Sequence, residues 1–98
     1  MVERHLYVKL DGSTDGQRER RAKVLRATFG HLPGIQAARV GLPADIASQK
    51  AWDLSVVLEF PTLAALENAL ASDVFLRLER LYLTPNVVVI KAWSFELE

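Results

Sequence analysis

The sequence predicts an α+β fold, a four-stranded antiparallel sheet built in the order βαββαβ with two helices on one face. Three observations predict it. Residues 4–10 and 52–60 alternate apolar and polar, the period of a half-buried strand. Ala22, Leu25, Phe29 and Leu32 follow the first of these at helical spacing. A second strand–helix–strand unit then fills the rest of the chain.

In the first strand, Leu6, Val8 and Leu10 point one way and His5, Tyr7 and Lys9 the other. Asp11-Gly12-Ser13 is a turn. Thr14 opens a helix, with Gln17 three residues on as its capping-box partner. Arg18, Arg20, Arg21, Lys23 and Arg26 cover most of its polar side, and it runs to about Phe29. Gly30 ends it, and Leu32-Pro33-Gly34 breaks the chain. Ile35 to Leu42 is a second strand with Arg39 near its middle, and Pro43 to Lys50 reads as a loop. In the third strand Trp52, Leu54, Val56, Leu58 and Phe60 share one face, and Asp53, Ser55, Val57 and Glu59 the other. Pro61-Thr62 ends that strand and caps a helix over Leu63 to Leu70. Ser72-Asp73 caps a further helical stretch, with Val74, Leu78 and Leu81 on one side and Arg77 and Arg80 on another. Thr84-Pro85-Asn86 stops it, and Val87 to Phe95 is the last strand. Right-handed crossovers give the spatial order 4-1-3-2, a ferredoxin-like arrangement.

Composition bounds the function. The 98 residues suit one domain, 1–98, and half of them are apolar. Twelve basic side chains balance twelve acidic ones, which argues against a dedicated nucleic-acid binder. Residues 1–50 carry nine basic and five acidic groups, and residues 51–98 three and seven, so the halves are +4 and −4. The absence of cysteine excludes disulfides, thiolate catalysis and iron–sulfur clusters. Two histidines 26 positions apart make no metal site by spacing, and no cofactor is expected. The start of the chain has no signal-peptide pattern and no run is long enough to span a bilayer, so the cytoplasm is the expected location. There is no Gly-rich phosphate loop and no Gly-x-Ser-x-Gly. The third strand lacks the aromatic block of an RNA-recognition sheet.

The sheet face away from the helices is expected to meet a second copy of the chain. Were it solvated, it would be polar throughout. Instead it includes Tyr7 and Val57. The last strand is apolar on both sides, with Val87, Val89, Trp93 and Phe95 against Val88, Ile90 and Ala92. A contiguous apolar surface of this kind marks an interface. Polar members of that face, His5, Lys9, Asp53, Ser55 and Glu59, then need partners, and Lys9 with Glu59 is one expected pair.

Three stretches resemble the stress-responsive A/B barrel family. Arg4-His5-Leu6 with Lys9-Leu10 is similar to its opening strand, and Leu32-Pro33-Gly34-Ile35 to its step into the second strand. Trp52-Asp53-Leu54 through Glu59-Phe60, then Leu63 and Ala65-Leu66-Glu67, resembles its third strand and following helix. The resemblance implies a ferredoxin-like monomer and a two-fold dimer whose sheets close into an α+β barrel. The chain departs from the family's His-Pro-x-His, where it has Ser72-Asp73-Val74-Phe75. The tyrosine that the family's polyketide cyclases use is Ala69 here, so His5 alone remains of that set.

His5 is the candidate catalytic residue, as general base or proton shuttle. Its other reading is a structural histidine that satisfies a carboxylate. Strand parity places it opposite the helix-covered face, whereas the family's cyclases keep that histidine near a pocket between sheet and helices. His31 suits the end of a helix. Tyr7, Tyr82, Trp93 and Trp52 are candidate pocket walls for an aromatic ligand, or core and interface residues. Asp53 and Glu59, about 20 Å apart along one strand, are too far apart for a glycosidase pair. Two functions are open: a homodimeric barrel protein that binds a small hydrophobic molecule, or a cofactor-independent cyclase-like or monooxygenase-like enzyme using His5.

Overall fold

A computed structural model describes residues 1–98. The elements are β1 (Val2–Leu10), α1 (Asp15–Phe29), β2 (Ala37–Gly41), α2 (Ile46–Ala51), β3 (Leu54–Phe60), α3 (Leu63–Leu70), α4 (Asp73–Leu78) and β4 (Val87–Glu96). A single π-turn, Glu79–Leu83, follows α4 directly. The strands lie in the order β2-β3-β1-β4, the predicted order read from its other edge. All three pairings are antiparallel, with Leu6 opposite Val56 and Ala92, and Arg39 opposite Val57.

Alternation decides which side of the sheet the helices cover. Val2, Leu6, Val8 and Leu10 of β1 and Leu54, Val56, Leu58 and Phe60 of β3 are all buried. They meet Ala22, Leu25 and Phe29 of α1, Leu66 and Ala69 of α3, and Phe75 of α4 in one core. The Phe29 and Phe75 rings stand 5.8 Å apart across it. Arg4 shares the covered side of β1 near its end and reaches Ser94 Oγ at 3.1 Å.

The caps fall where the sequence puts them. Thr14 Oγ1 accepts from the Gln17 amide, and Gln17 Oε1 accepts from the Thr14 amide, closing the capping box of α1. The Thr62 hydroxyl accepts from the Ala65 amide to cap α3, and the Ser72 hydroxyl accepts from the Phe75 amide to cap α4. Gly30 ends α1 in a right-handed conformation, and the left-handed turn comes four residues later at Gly34, φ 76°. Thr14→Ala is expected to lower stability by about 1 kcal/mol in urea denaturation. An unchanged midpoint would show that the box adds nothing in this context.

Four local expectations are corrected. Residues 43–50 hold not only a loop but the start of α2, capped by Asp45, whose carboxylate accepts from the Ser48 amide at 2.8 Å. β3 starts at Leu54, so Trp52 and Asp53 do not follow its alternation: Asp53 is buried, and Trp52 stacks near Tyr7 on the open side. After Ser72, Val74 and Leu81 are exposed while Phe75 and Leu83 are buried. Val74 and Phe75 lie in α4, ahead of the π-turn, whose longer repeat then carries Leu83 inward and leaves Leu81 outside. The register of β4 on β1 shifts between Lys9 and Leu10, passing over Val88. Val87 therefore packs against the core with Ala92 rather than lying with Val89, Trp93 and Phe95.

β4 reaches beyond its helical cover. Ile90 lies opposite Val8 yet is 38% exposed, and Val88 is 61% exposed.

Candidate functional site

The open face of the sheet carries Glu3, His5, Tyr7 and Lys9 from β1, Val57 and Glu59 from β3, Arg39 from β2, and Trp93 and Phe95 from β4. The pairings set these neighbours: Glu3 lies opposite Glu59 and Phe95, and His5 opposite Val57 and Trp93. The face divides into a charged part and an aromatic part.

Arg39 organises the charged part. Its Nη1 donates to Glu59 Oε2 at 2.8 Å and its Nη2 to Glu3 Oε2 at 2.7 Å. The hydrogen bond to Glu59, followed by that to Glu3, raises the pKa of Arg39 above its ordinary value. The second Glu3 oxygen lies 3.0 Å from His5 Nε2. A carboxylate paired with arginine can only accept, so Nε2 is the protonated ring nitrogen. His5 also meets the Phe95 ring edge-on, with centroids 5.7 Å apart. The catalytic candidate is thus tied to a carboxylate and packed against an aromatic ring. It sits on the face that strand parity assigned to it.

Tyr7 centres the aromatic part. Its ring lies 5.7 Å from Trp52 and 6.3 Å from Trp93. Tyr7 and Trp52 line an open cavity of about 310 Å³ together with Leu42, Pro43 and Ala44. Of the four candidate wall residues, Tyr7 and Trp52 line this cavity, and Trp93 lies next to Tyr7 outside the lining. Tyr82 lies on the helical side, in a separate groove.

The expected pair of Lys9 with Glu59 is not made. Glu59 is held by Arg39, and Lys9 Nζ lies 3.8 Å from Asp53 Oδ2. Asp53 was expected on the open face, but it is the one buried charged residue, 3% exposed. Its Oδ2 accepts from the Leu10 amide at 2.6 Å. Its Oδ1 accepts from Ser13 Oγ at 2.9 Å and Arg18 Nη1 at 3.1 Å. Burial alone pushes this carboxyl up, but the Leu10 amide, Ser13, Lys9 and Arg18 outweigh burial and hold it below the usual carboxylate range. With both oxygens engaged, Asp53 fastens β1, α1 and the start of β3 together.

No family model and no curated protein matches the chain. Solved structures do. A dabb family protein with a ferredoxin-like fold from Mesorhizobium loti superposes with a TM-score of 0.80 at 12% identity, over 99% of this chain and 96% of that one. The chain has the ferredoxin-like fold. A dimeric ferredoxin-like protein of unknown function from Thermobifida fusca gives 0.78 at 15% identity, over 98% and 90%. A mutant of SnoaB, a cofactor-independent oxygenase from Streptomyces nogalater, gives 0.72 at 17% identity, over 98% and 91%. The ferredoxin-like fold thus serves dimers without an assigned role and a cofactor-free enzyme alike. Within it, this chain has no helix long and apolar enough to cross a membrane.

Proposed function

We propose that residues 1–98 form a single domain of the stress-responsive A/B barrel type. It pairs with a second copy through the open sheet face and β4, and holds a small hydrophobic or aromatic molecule without transforming it. One observation carries the pairing: Trp93 and Phe95 are 49% and 55% exposed, beside a charged cluster whose two carboxylates already have Arg39 as partner. Covering such a face removes apolar area from water and leaves neither carboxylate unpaired. The dimeric state of the Thermobifida fusca protein supports the same reading. The Tyr7–Trp52 cavity is the proposed ligand seat, with Trp93 at its side. The cytoplasm is the proposed compartment, which suits a small fold with no cysteine.

Sedimentation equilibrium at micromolar concentration is expected to give twice the 11.0 kDa chain mass. A monomer under those conditions would overturn the pairing.

The enzymatic alternative is a cofactor-independent reaction with His5 as base, favoured by the fold shared with an oxygenase. Against it, His5 lines neither the Tyr7–Trp52 cavity nor the groove beside Tyr82. Incubation with a hydroxylated polycyclic aromatic separates the two. Recovery of the compound unchanged supports binding alone; conversion that disappears in His5→Gln supports the enzyme.

A further inference from the structure

A second concave site lies on the helical side, away from the face proposed to pair. It is a groove of about 310 Å³ between α1 and the π-turn. Its apolar lining is Val24 of α1 together with a wall of Leu81 and Tyr82 from the π-turn, each more than a third exposed, and Pro85. The π-turn creates this wall, because it sends Leu83 into the core and leaves Leu81 and Tyr82 outside. Single π-turns of this kind occur often at functional sites.

α1 also lends the groove a cationic lining, in which Arg21 is held in place. Arg21 Nη1 donates to the Leu83 carbonyl at 3.2 Å and Nη2 to the Pro85 carbonyl at 2.8 Å. A guanidinium has five N–H donors, so three remain. Arg20 is beside it in the lining. The chain's ion pairs involve Arg18, Arg39, Lys9, His5 and the N-terminus, and neither Arg20 nor Arg21. Burial lowers the pKa of Arg21, the sign expected of a cation losing water without gaining a carboxylate. Two arginines that make no ion pair, one of them clamped by backbone carbonyls, line the groove together with its exposed apolar residues.

We propose that this groove binds a small monocarboxylate with an apolar body. The carboxylate meets Arg20 and the free donors of Arg21, and the body lies on Leu81 and Tyr82. A single charge is specified because Asp11 also lines the groove and repels a second one. The site is independent of the pairing proposed above, and its failure would leave that pairing untouched.

The test is an amide-resolved NMR titration of the whole chain with 2-naphthoate. Saturable shifts are expected at Val24, Leu81 and Tyr82. Arg20→Ala is expected to weaken binding by about tenfold, the effect of one charge-assisted hydrogen bond. On the unaltered protein, a neutral naphthalene alcohol is expected to bind about tenfold more weakly as well. Inorganic phosphate alone is expected to bind much more weakly than naphthoate. No saturable shift up to about 10 mM would overturn the proposal. So would equal binding of the alcohol, full affinity in Arg20→Ala, or phosphate binding as well as naphthoate. The alcohol comparison needs no variant, so the proposal stays falsifiable even if Arg20→Ala fails to fold.

Discussion

Asp53→Ala is expected to lower the unfolding free energy by about 3–5 kcal/mol. That is a large share of what a domain this size has to lose. The cost comes from the partners left behind. The Leu10 amide loses its acceptor, and Arg18 and Lys9 lose the carboxylate that faces both of them. Arg18 keeps Asp15 as an exposed partner, which offsets only a little of this. Urea denaturation measures the change, and a loss below about 1 kcal/mol would show that Asp53 is not a fastening point. The pH dependence gives an independent check. The folded-state pKa of Asp53 lies below its ordinary value. Its contribution is therefore complete above pH about 4 and is lost as pH falls through the lowered folded value. The gap between parent and Asp53→Ala should narrow on acidification, and a gap constant down to pH about 2 would count against the assignment.

Trp93→Glu is expected to weaken self-association by at least about a hundredfold. In a two-fold dimer the change enters the interface twice. Trp93 lies on β4 opposite His5 and close to Tyr7, so the new carboxylate would replace an exposed apolar surface on the open face with a charge beside Glu3, whose carboxylate already has Arg39 as partner. Because Trp93 is 49% exposed in the single chain, the monomer should keep its circular dichroism spectrum. Ile46→Glu on α2 is the control: Ile46 is 71% exposed and lies off the sheet, so the dimer should persist. A Trp93→Glu protein that sediments like the parent would remove the open face from the interface.

Most of the fold was legible because its strands and main helices bury one face. The alternation of Leu54 to Phe60 and the spacing of Ala22, Leu25 and Phe29 left few alternatives. What was missed has no such periodicity. In α2 the one large apolar residue, Ile46, points into solvent, and only the Asp45 cap marks the helix. Asp53 was misplaced because a strict alternation was carried back past Leu54, where the strand begins. Past α4 a 3.6-residue spacing fails for Leu81 and Leu83, because the π-turn has a longer repeat. In the candidate site, His5 on the open face and the proximity of Tyr7 and Trp93 followed from strand parity. The Glu3 partner of His5 was missed, although residues two apart on a strand always share a face. Arg39 could not be placed from sequence, since its meeting with Glu3 and Glu59 depends on a register spanning three strands.

The pairing of β1 with β4 has a consequence for how the chain comes into being. β1 is made first and lies at the centre of the sheet, but one of its two neighbours is the last strand made, with Val2 opposite Glu96. Until synthesis passes Val87, the strand that anchors the core has an unpaired edge and no route to its final state. Pairing with β4 is therefore the last contact that can complete the sheet. It also makes the two ends near neighbours, with the Met1 ammonium 3.6 Å from a Glu96 carboxylate oxygen. A short peptide joining them, with new ends opened in the loop between β2 and α2, would let β4 and β1 emerge as one continuous hairpin.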